Sequence, residues 1–299
     1  MAIGTANGYN NLPSGNWLPA IYSQKVQKFF RTASVVEDIT NTDYAGEIEA
    51  YGDTVNIIKE PTITVSSYTR GAQIAPQNLA DDQIQMVVDQ ANAFAFKVDD
   101  IEERQAHVNW EALATSSGAY ALKDSYDANV IAAMLAGAGT TTGSDGSGAD
   151  VGFGSSEVDP MDILATAAKN LHALDIPTDN RWFLASPEFY EQLGNASSKL
   201  MDASITGDGT SPLRNGSVLN GLVNGFKLYM TNNFAASSTS NYVKVMFGHM
   251  SSTATANAIA KTEVIRDPDS FSDIVRGLHV FGRKVLRSEA LQARHLLID

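Results

Sequence analysis

Glu103, His107 and Glu111 stand at i, i+4 and i+8, which on a helix would set an imidazole between two carboxylates, a donor set for a hard or borderline divalent cation. The trio lacks the second histidine of a His-Glu-x-x-His zinc site, and alternating charge along a helix face is the mark of a solvated surface. His172, His249, His279 and His295 lie in different predicted elements without ligand spacing and are read as structural. The chain has no cysteine, which removes disulfides, thiolate zinc sites, iron-sulfur clusters and cysteine nucleophiles together. The glycine-rich run from Gly137 follows a helix rather than a strand and lacks the Lys-Ser/Thr of a P-loop; the run from Gly207 fails likewise. No Gly-x-Ser-x-Gly elbow occurs. The pairs Asp81-Asp82 and Asp99-Asp100 stand in no context that would raise a carboxyl pKa for acid catalysis. No catalytic residue, metal ligand or cofactor site is therefore assigned.

Arg276, Arg283, Lys284, Arg287 and Arg294 crowd toward the C-terminus against the acidic trend of the chain. They could touch nucleic acid, but the excess of acidic groups elsewhere favours pairing across strands or subunits. The 299 residues carry 21 basic and 34 acidic side chains, a formal net charge of -13. A chain with a pI near 4.7 is a poor general adhesive for phosphate backbones, whose binding runs on lysine and arginine. With 43% apolar and 18% charged residues the composition is that of a folded protein. A fold of this length buries about 75% of its extended-chain surface. No apolar run reaches the length needed to span a bilayer, and the first thirty residues lack a signal-peptide pattern, so neither a membrane nor secretion is expected. The Asn195 and Asn215 sequons then carry no meaning.

These residues must be positioned by elements whose periodicity can be read directly. Residues 1–16 are small and polar and predict a loose arm; Trp17, Ile21, Val26, Phe29 and Phe30 then fall near helical spacing within Asn16–Val36. Between Asp53 and Val98 four segments alternate with period two, around Val55/Ile57, Ile63/Val65, Ile84/Met86/Val88 and Phe94/Phe96/Val98. The stretch Thr69–Asp82 has too few large apolar residues to fold back on a core, so this long two-stranded excursion should rest on something outside its own domain. Helical spacing returns from Trp110 to Ala136, along Ala119, Leu122, Tyr126, Val130 and Met134, with Gly137 as the stop. Gly139–Gly154 predicts a flexible loop or surface hairpin.

Asp159 as N-cap, Pro160 at the first position and Asp162 in the first turn open a helix whose apolar face is Ile163, Leu164, Ala167, Leu171 and Leu174. A strand at Trp182–Ala185 and a proline-initiated helix at Pro187–Leu193 follow. After a loop-rich stretch, Asn195–Leu219, strands are expected at Phe226–Met230 and Tyr242–Phe247. A small-residue helix is expected around Ser252–Ile259, and strands near Lys261–Arg266, Val275–Leu286 and Leu291–Ile298. No internal repeat emerges.

In this order of elements, and in the blocks NWLPAIYSQKVQKFFRTASVV at Asn16, YAGEIEAYGDTVNI at Tyr44, FAFKVDDIEERQA at Phe94, NGFKLYMTNNF at Asn224 and DIVRGLHVFGRKVLRSEAL at Asp273, the chain resembles the major capsid proteins of tailed bacteriophages. Their α+β shell fold is named after the phage Hong Kong 97 and is shared by encapsulins. The resemblance implies an N-terminal arm over 1–46, an extended loop over 47–98 lying across the neighbouring subunit, and a peripheral domain with a spine helix over 99–156. It implies an axial domain over 157–258 and return strands of the peripheral domain over 259–299. The implied role is the structural subunit of an icosahedral head, not an enzyme, assembling with itself into hexamers and pentamers around double-stranded DNA. A separate scaffolding protein, a portal and a possible decoration protein are the other implied partners; the implied location is the virion, with assembly in the host cytoplasm. An encapsulin-like compartment, or an unrelated α/β enzyme or ligand binder, remains the alternative. The family's covalent crosslink is not carried over, because Lys59 and Lys97 lie in or beside the loop but not at its tip. Arg70 at the tip is the expected contact with the next subunit.

Overall fold

The computed structural model describes residues 34–44, 54–58, 61, 63–71, 73, 76–78, 83–99, 110–195, 197, 222–239 and 241–298, apart from the side chains of 110–114 and 258–260. The expected helix at Asn16–Val36 lies almost wholly outside them; a single helical turn, α1 (Val36–Ile39), follows it. The extended loop opens with β1 (Thr54–Ile58) and returns with β2 (Gln83–Val87), antiparallel partners from Thr54 opposite Val87 to Ile58 opposite Gln83. The strand expected around Ile63 and Val65 is not formed. Continuing the same register sets Val65 opposite Pro76, and Pro61 also lies on the outgoing arm; proline is disfavoured inside strands, so this part of the ribbon is a poor place to extend the ladder. Residues 63–69 instead run without turn or bend, and the Thr64 N–H donates to the Gln77 side chain at 2.9 Å.

β3 (Gln90–Asp99) joins β11 (Ser272–Val285) and β10 (Thr253–Arg266) in an antiparallel sheet of order β10-β11-β3. The small-residue helix expected at Ser252–Ile259 is thus the start of a long strand. Alanine favours helix intrinsically, but Thr253-Ala254-Thr255-Ala256-Asn257 also alternates with period two. Tertiary packing decides: Ala254 and Ala256 are buried with Val55, Met86, Val88 and Val280. One extra residue bulges between Asn257 and Ile259.

A second sheet of seven strands has the order β4-β12-β9-β6-β8-β7, with β5 also on β12. Its members are β4 (Thr140–Thr142), β5 (Ala149–Val151), β6 (Arg181–Ala185), β7 (Leu222–Val223), β8 (Phe226–Met230), β9 (Tyr242–His249) and β12 (Leu291–Ile298). β6 is buried at all five positions, which is why it reads as a continuous apolar run. The segment Gly139–Gly154 is neither a loose loop nor a hairpin. β4 and β5 lie parallel to β12 in succession, opposite Gln292–Arg294 and Leu296–Ile298, because that edge needs backbone partners. Between them a turn closes through paired bonds of Ser144 and Ser147, with Gly143 and Gly146 at positive φ.

One face of this sheet is covered by α3 (Pro160–Ala173) and α4 (Pro187–Leu193). Asp159 accepts from the Met161 N–H and caps α3 as its sequence predicts. Ile163, Leu164, Leu171, Phe183, Phe189, Phe226 and Phe247 make that core. The other face meets the spine helix α2 (Trp110–Gly137): Tyr126, Val130, Ile131 and Met134 pack with Trp182, Leu184, Met246, Leu291 and Ala293. The same cluster takes in Phe281 of the three-stranded sheet and Val35, Val36 and Ile39 beside α1.

Two contacts fix α2 to its neighbours. Phe94 of β3 is held between glycines: a Cβ on Gly118 of α2 would come within 2.8 Å of its ring, and one on Gly277 of β11 within 2.3 Å. Asp127 of α2, 3% exposed, accepts from the Ser34 hydroxyl at 2.7 Å and the Val35 N–H at 3.3 Å, and so holds the chain entering α1. Burial pushes the Asp127 carboxyl above the ordinary carboxylate range, against the pull of those two donors and Lys123.

Two outcomes follow from these contacts. Gly277→Ala should destabilise the unassembled subunit by about 1–3 kcal/mol in urea melts, the usual cost of forcing atoms into a filled core. Asp127→Ala should cost about 1.5–3 kcal/mol at neutral pH, the range for a hydrogen bond to a charged group. Because the folded carboxyl holds its proton more tightly than the unfolded one, the native state binds more protons between the two pKa values. The wild type should therefore gain stability over Asp127→Ala as pH falls from neutral into that window. A difference that shrinks on acidification would contradict the burial assignment.

Candidate assembly surfaces

Among the described residues, those considered for chemistry are not brought together. Glu103, His107 and the Asp81-Asp82 pair lie outside the described residues, as do Asp100, Lys59 and the Glu111 side chain. Among the described residues no group of His, Asp and Glu side chains could hold a metal ion, and no helix is long and apolar enough to cross a membrane.

The histidines each meet a local neighbour. His172 lies against Arg181, whose guanidinium donates to the carbonyls of Pro177 and Ile176. His249 bonds the Ser251 hydroxyl at 2.8 Å and is pushed down in pKa chiefly by burial. His279 packs against Tyr126 and Phe281 and is likewise pushed down by burial. His295 lies 3.4 Å from Asp145, which also accepts from Ser237 and Ser238 and pins that loop to the β4–β5 turn.

Two of the five basic residues meet carboxylates, and Arg287 is exposed just before the β12 strand. Arg276 reaches Glu263 at 2.8 Å and Arg283 faces Asp89 at 3.8 Å. Lys284 is exposed beside Arg283, both lining a cavity of about 570 Å³ between the root of β2, the end of α2 and β11. Arg294 is half-buried on β12. Lys97 is bonded to Asp267 in the β10–β11 turn, which also accepts from Ser270 at 2.7 Å. The Lys97 ammonium and the other donors hold the Asp267 carboxyl well below the usual range.

Exposed apolar side chains gather on the extended loop and at one end of the three-stranded sheet, with Leu174, Leu222 and Met230 exposed elsewhere. On the extended loop Ile58, Ile63, Val65 and Tyr68 are open to solvent, Val65 at 93% exposure. At the far end of the three-stranded sheet Val264, Ile265, Phe271 and Leu278 are exposed. Arg70 lies in the turn at the loop tip, exposed, next to Gly71 at a φ of 86°. Arg70 was legible from its position between strand signals. The sheet-end patch was missed because Val264, Ile265 and Phe271 look like ordinary core residues until both faces of the strand end are seen to be open.

The model of a family described as phage capsid protein matches residues 83–293. No curated protein matches the sequence. Among solved structures, a chain of Mycobacterium phage Che8 superposes with a TM-score of 0.77 at 29% identity, over 93% of this chain and 97% of that one. The capsid of cyanophage P-SCSP1u gives 0.73 at 16% identity, over 97% and 96%. A virus-like particle from Pyrococcus furiosus gives 0.56 at 15%, over 88% and 92%, a likeness of fold alone. The family match spans both sheets and the spine helix, so the chain belongs to the phage capsid protein family, with the Hong Kong 97-like α+β fold and the role of a structural shell subunit.

Proposed function

We propose that this subunit closes into hexamers and pentamers of an icosahedral head that encloses double-stranded DNA, assembled in the host cytoplasm and retained in the virion. The observation that carries the reading is the extended loop, a ribbon bearing Ile63, Val65 and Tyr68 with no core of its own, on a chain of a capsid family. Apolar groups held this far from their own core gain burial only against another molecule. In this reading residues 1–46 are the arm, 47–98 the loop, 99–156 and 259–299 the peripheral domain, and 157–258 the axial domain.

The charge of -13 suits a container, since weak adhesion lets a packed genome be loaded and released. A separate scaffolding protein, a portal and possibly a decoration protein complete the set of partners. The encapsulin-like alternative shares the fold, and the virus-like particle from Pyrococcus furiosus keeps it in view. It would be favoured by shells that retain a specific protein cargo instead of DNA.

Light scattering with negative-stain electron microscopy, on the chain alone and with its scaffolding protein, should show uniform closed shells or rings of five and six. A chain that stays monomeric under both conditions would sink the reading. Arg70→Glu should lower shell yield while leaving the subunit's circular dichroism and urea melt unchanged; full yield would remove Arg70 from the contact.

A further inference from the structure

We propose that residues 63–69 of one subunit add as a strand to the open outer edge of β10 in a second copy of the chain. The inference rests on the shell reading above and names the surface that would receive the loop.

Two unpaired backbones carry the argument. Residues 63–69 have the alternation of a strand, Ile63 and Val65 against Thr64 and Ser66, and run straight, yet no ladder partner exists for them among the described residues. β10 is the end strand of its sheet, and among the described residues only Asn41 pairs with its outer edge, beside a side-chain bond between the Thr40 and Thr255 hydroxyls at 2.9 Å. That contact shows the edge accepting chain: the Asn41 N–H donates to the Thr253 carbonyl at 2.8 Å, and the Thr255 N–H donates to the Asn41 carbonyl at 2.9 Å.

The same bonds fix which groups face outward. Thr253 and Thr255 point toward Asn41, so Ala254 and Ala256 bond β11 through Lys284 and Gly282. Beyond the bulge the register moves by one, and Ile259, Lys261, Glu263 and Ile265 face β11. Thr262 and Val264 then present their amide and carbonyl to solvent. On the loop, Thr64 points across the ribbon to Gln77, so Ile63, Val65 and Ser67 point away from it. Two sets of alternating donors and acceptors are thus left open, each beside exposed apolar side chains: Ile63 at 70% and Val65 at 93%, against Val264 at 55% and Ile265 at 39%. Main-chain pairing would supply affinity and the aliphatic pairs specificity, the pattern of strand addition. A self-assembling chain supplies both halves, which makes a second copy the occupant.

The absence of cysteine gives a clean test. Val264→Cys is combined in turn with Ile63→Cys, Val65→Cys or Ser67→Cys, and purified particles are mildly oxidised. Facing residues in an antiparallel pair lie about 5.5 Å apart, within disulfide range. One of the three should give covalent multimers on a non-reducing gel, while each single variant gives no ladder beyond a dimer. Val264→Pro removes only an outward N–H and should lower particle yield about tenfold or more with a normal urea melt. Ile265→Pro removes a bond to β11 and marks how a folding defect would look. Particles that form normally from Val264→Pro, with no crosslink from any of the three pairs, overturn the proposal and leave the shell reading standing. A wild-type chain that never assembles overturns both.

Discussion

A single helix has to satisfy two sheets at once. Tyr126, Val130, Ile131 and Met134 of α2 are all fully buried, and the side chains around them come from β6, β9 and β12 on one side and from β11 on the other. Tyr126 is the hinge of this arrangement, its ring edge-on to Phe281 at 4.8 Å and to His279 at 5.3 Å. Because the cluster also closes over Val35, Val36 and Ile39, the chain entering the loop is tied to the core that joins the sheets. A disturbance in any of these parts is felt through the same handful of side chains, since packed interiors do not deform continuously.

That arrangement separates a rigid body from a surplus. The body ties its loops down through carboxylates: Asp267 gathers Lys97, Ser270 and Ser272 to build the β10–β11 turn, and Asp145 gathers Ser237 and Ser238 to hold a loop against β4 and β5. The surplus is the loop beyond Ile58 and the end of β10, where backbone and aliphatic groups together remain open. Exposed edges of this kind are hazards in a monomer and are ordinarily blunted by charge, bulges or proline. Here Pro61 and Pro76 lie where the ladder of the loop has stopped, and residues 63–69 have no ladder partner among the described residues.

Much of this was legible in the residues. The Asp159-Pro160 start of α3, the Pro187 start of α4, the spacing of α2 and the strands at 182–185, 226–230, 242–247 and 291–298 were all marked by caps, prolines or periodicity. The failures share a cause: local composition was outvoted by long-range pairing. Thr253–Asn257 looked helical for its alanines until β11 supplied a ladder, and Thr140–Val151 looked loose until the edge of β12 supplied one. Ile63–Val65 fails in the opposite sense, a sound strand pattern with no ladder partner among the described residues.

The last case shows what kind of protein leaves its surfaces in one chain and their partners in another. A catalytic site is readable when its groups converge, and among the described residues four histidines and the basic cluster disperse into separate local contacts. An assembly surface gives a different signal, a segment whose sequence asks for pairing that its own fold withholds. Val65 is such a segment's centre: strand-forming by type, nearly fully exposed, and facing a proline. Natural sequences keep local preference and global structure consistent, so an isolated conflict of this sort points to structure outside the chain. For a member of a capsid family, the outside structure we propose is the next subunit.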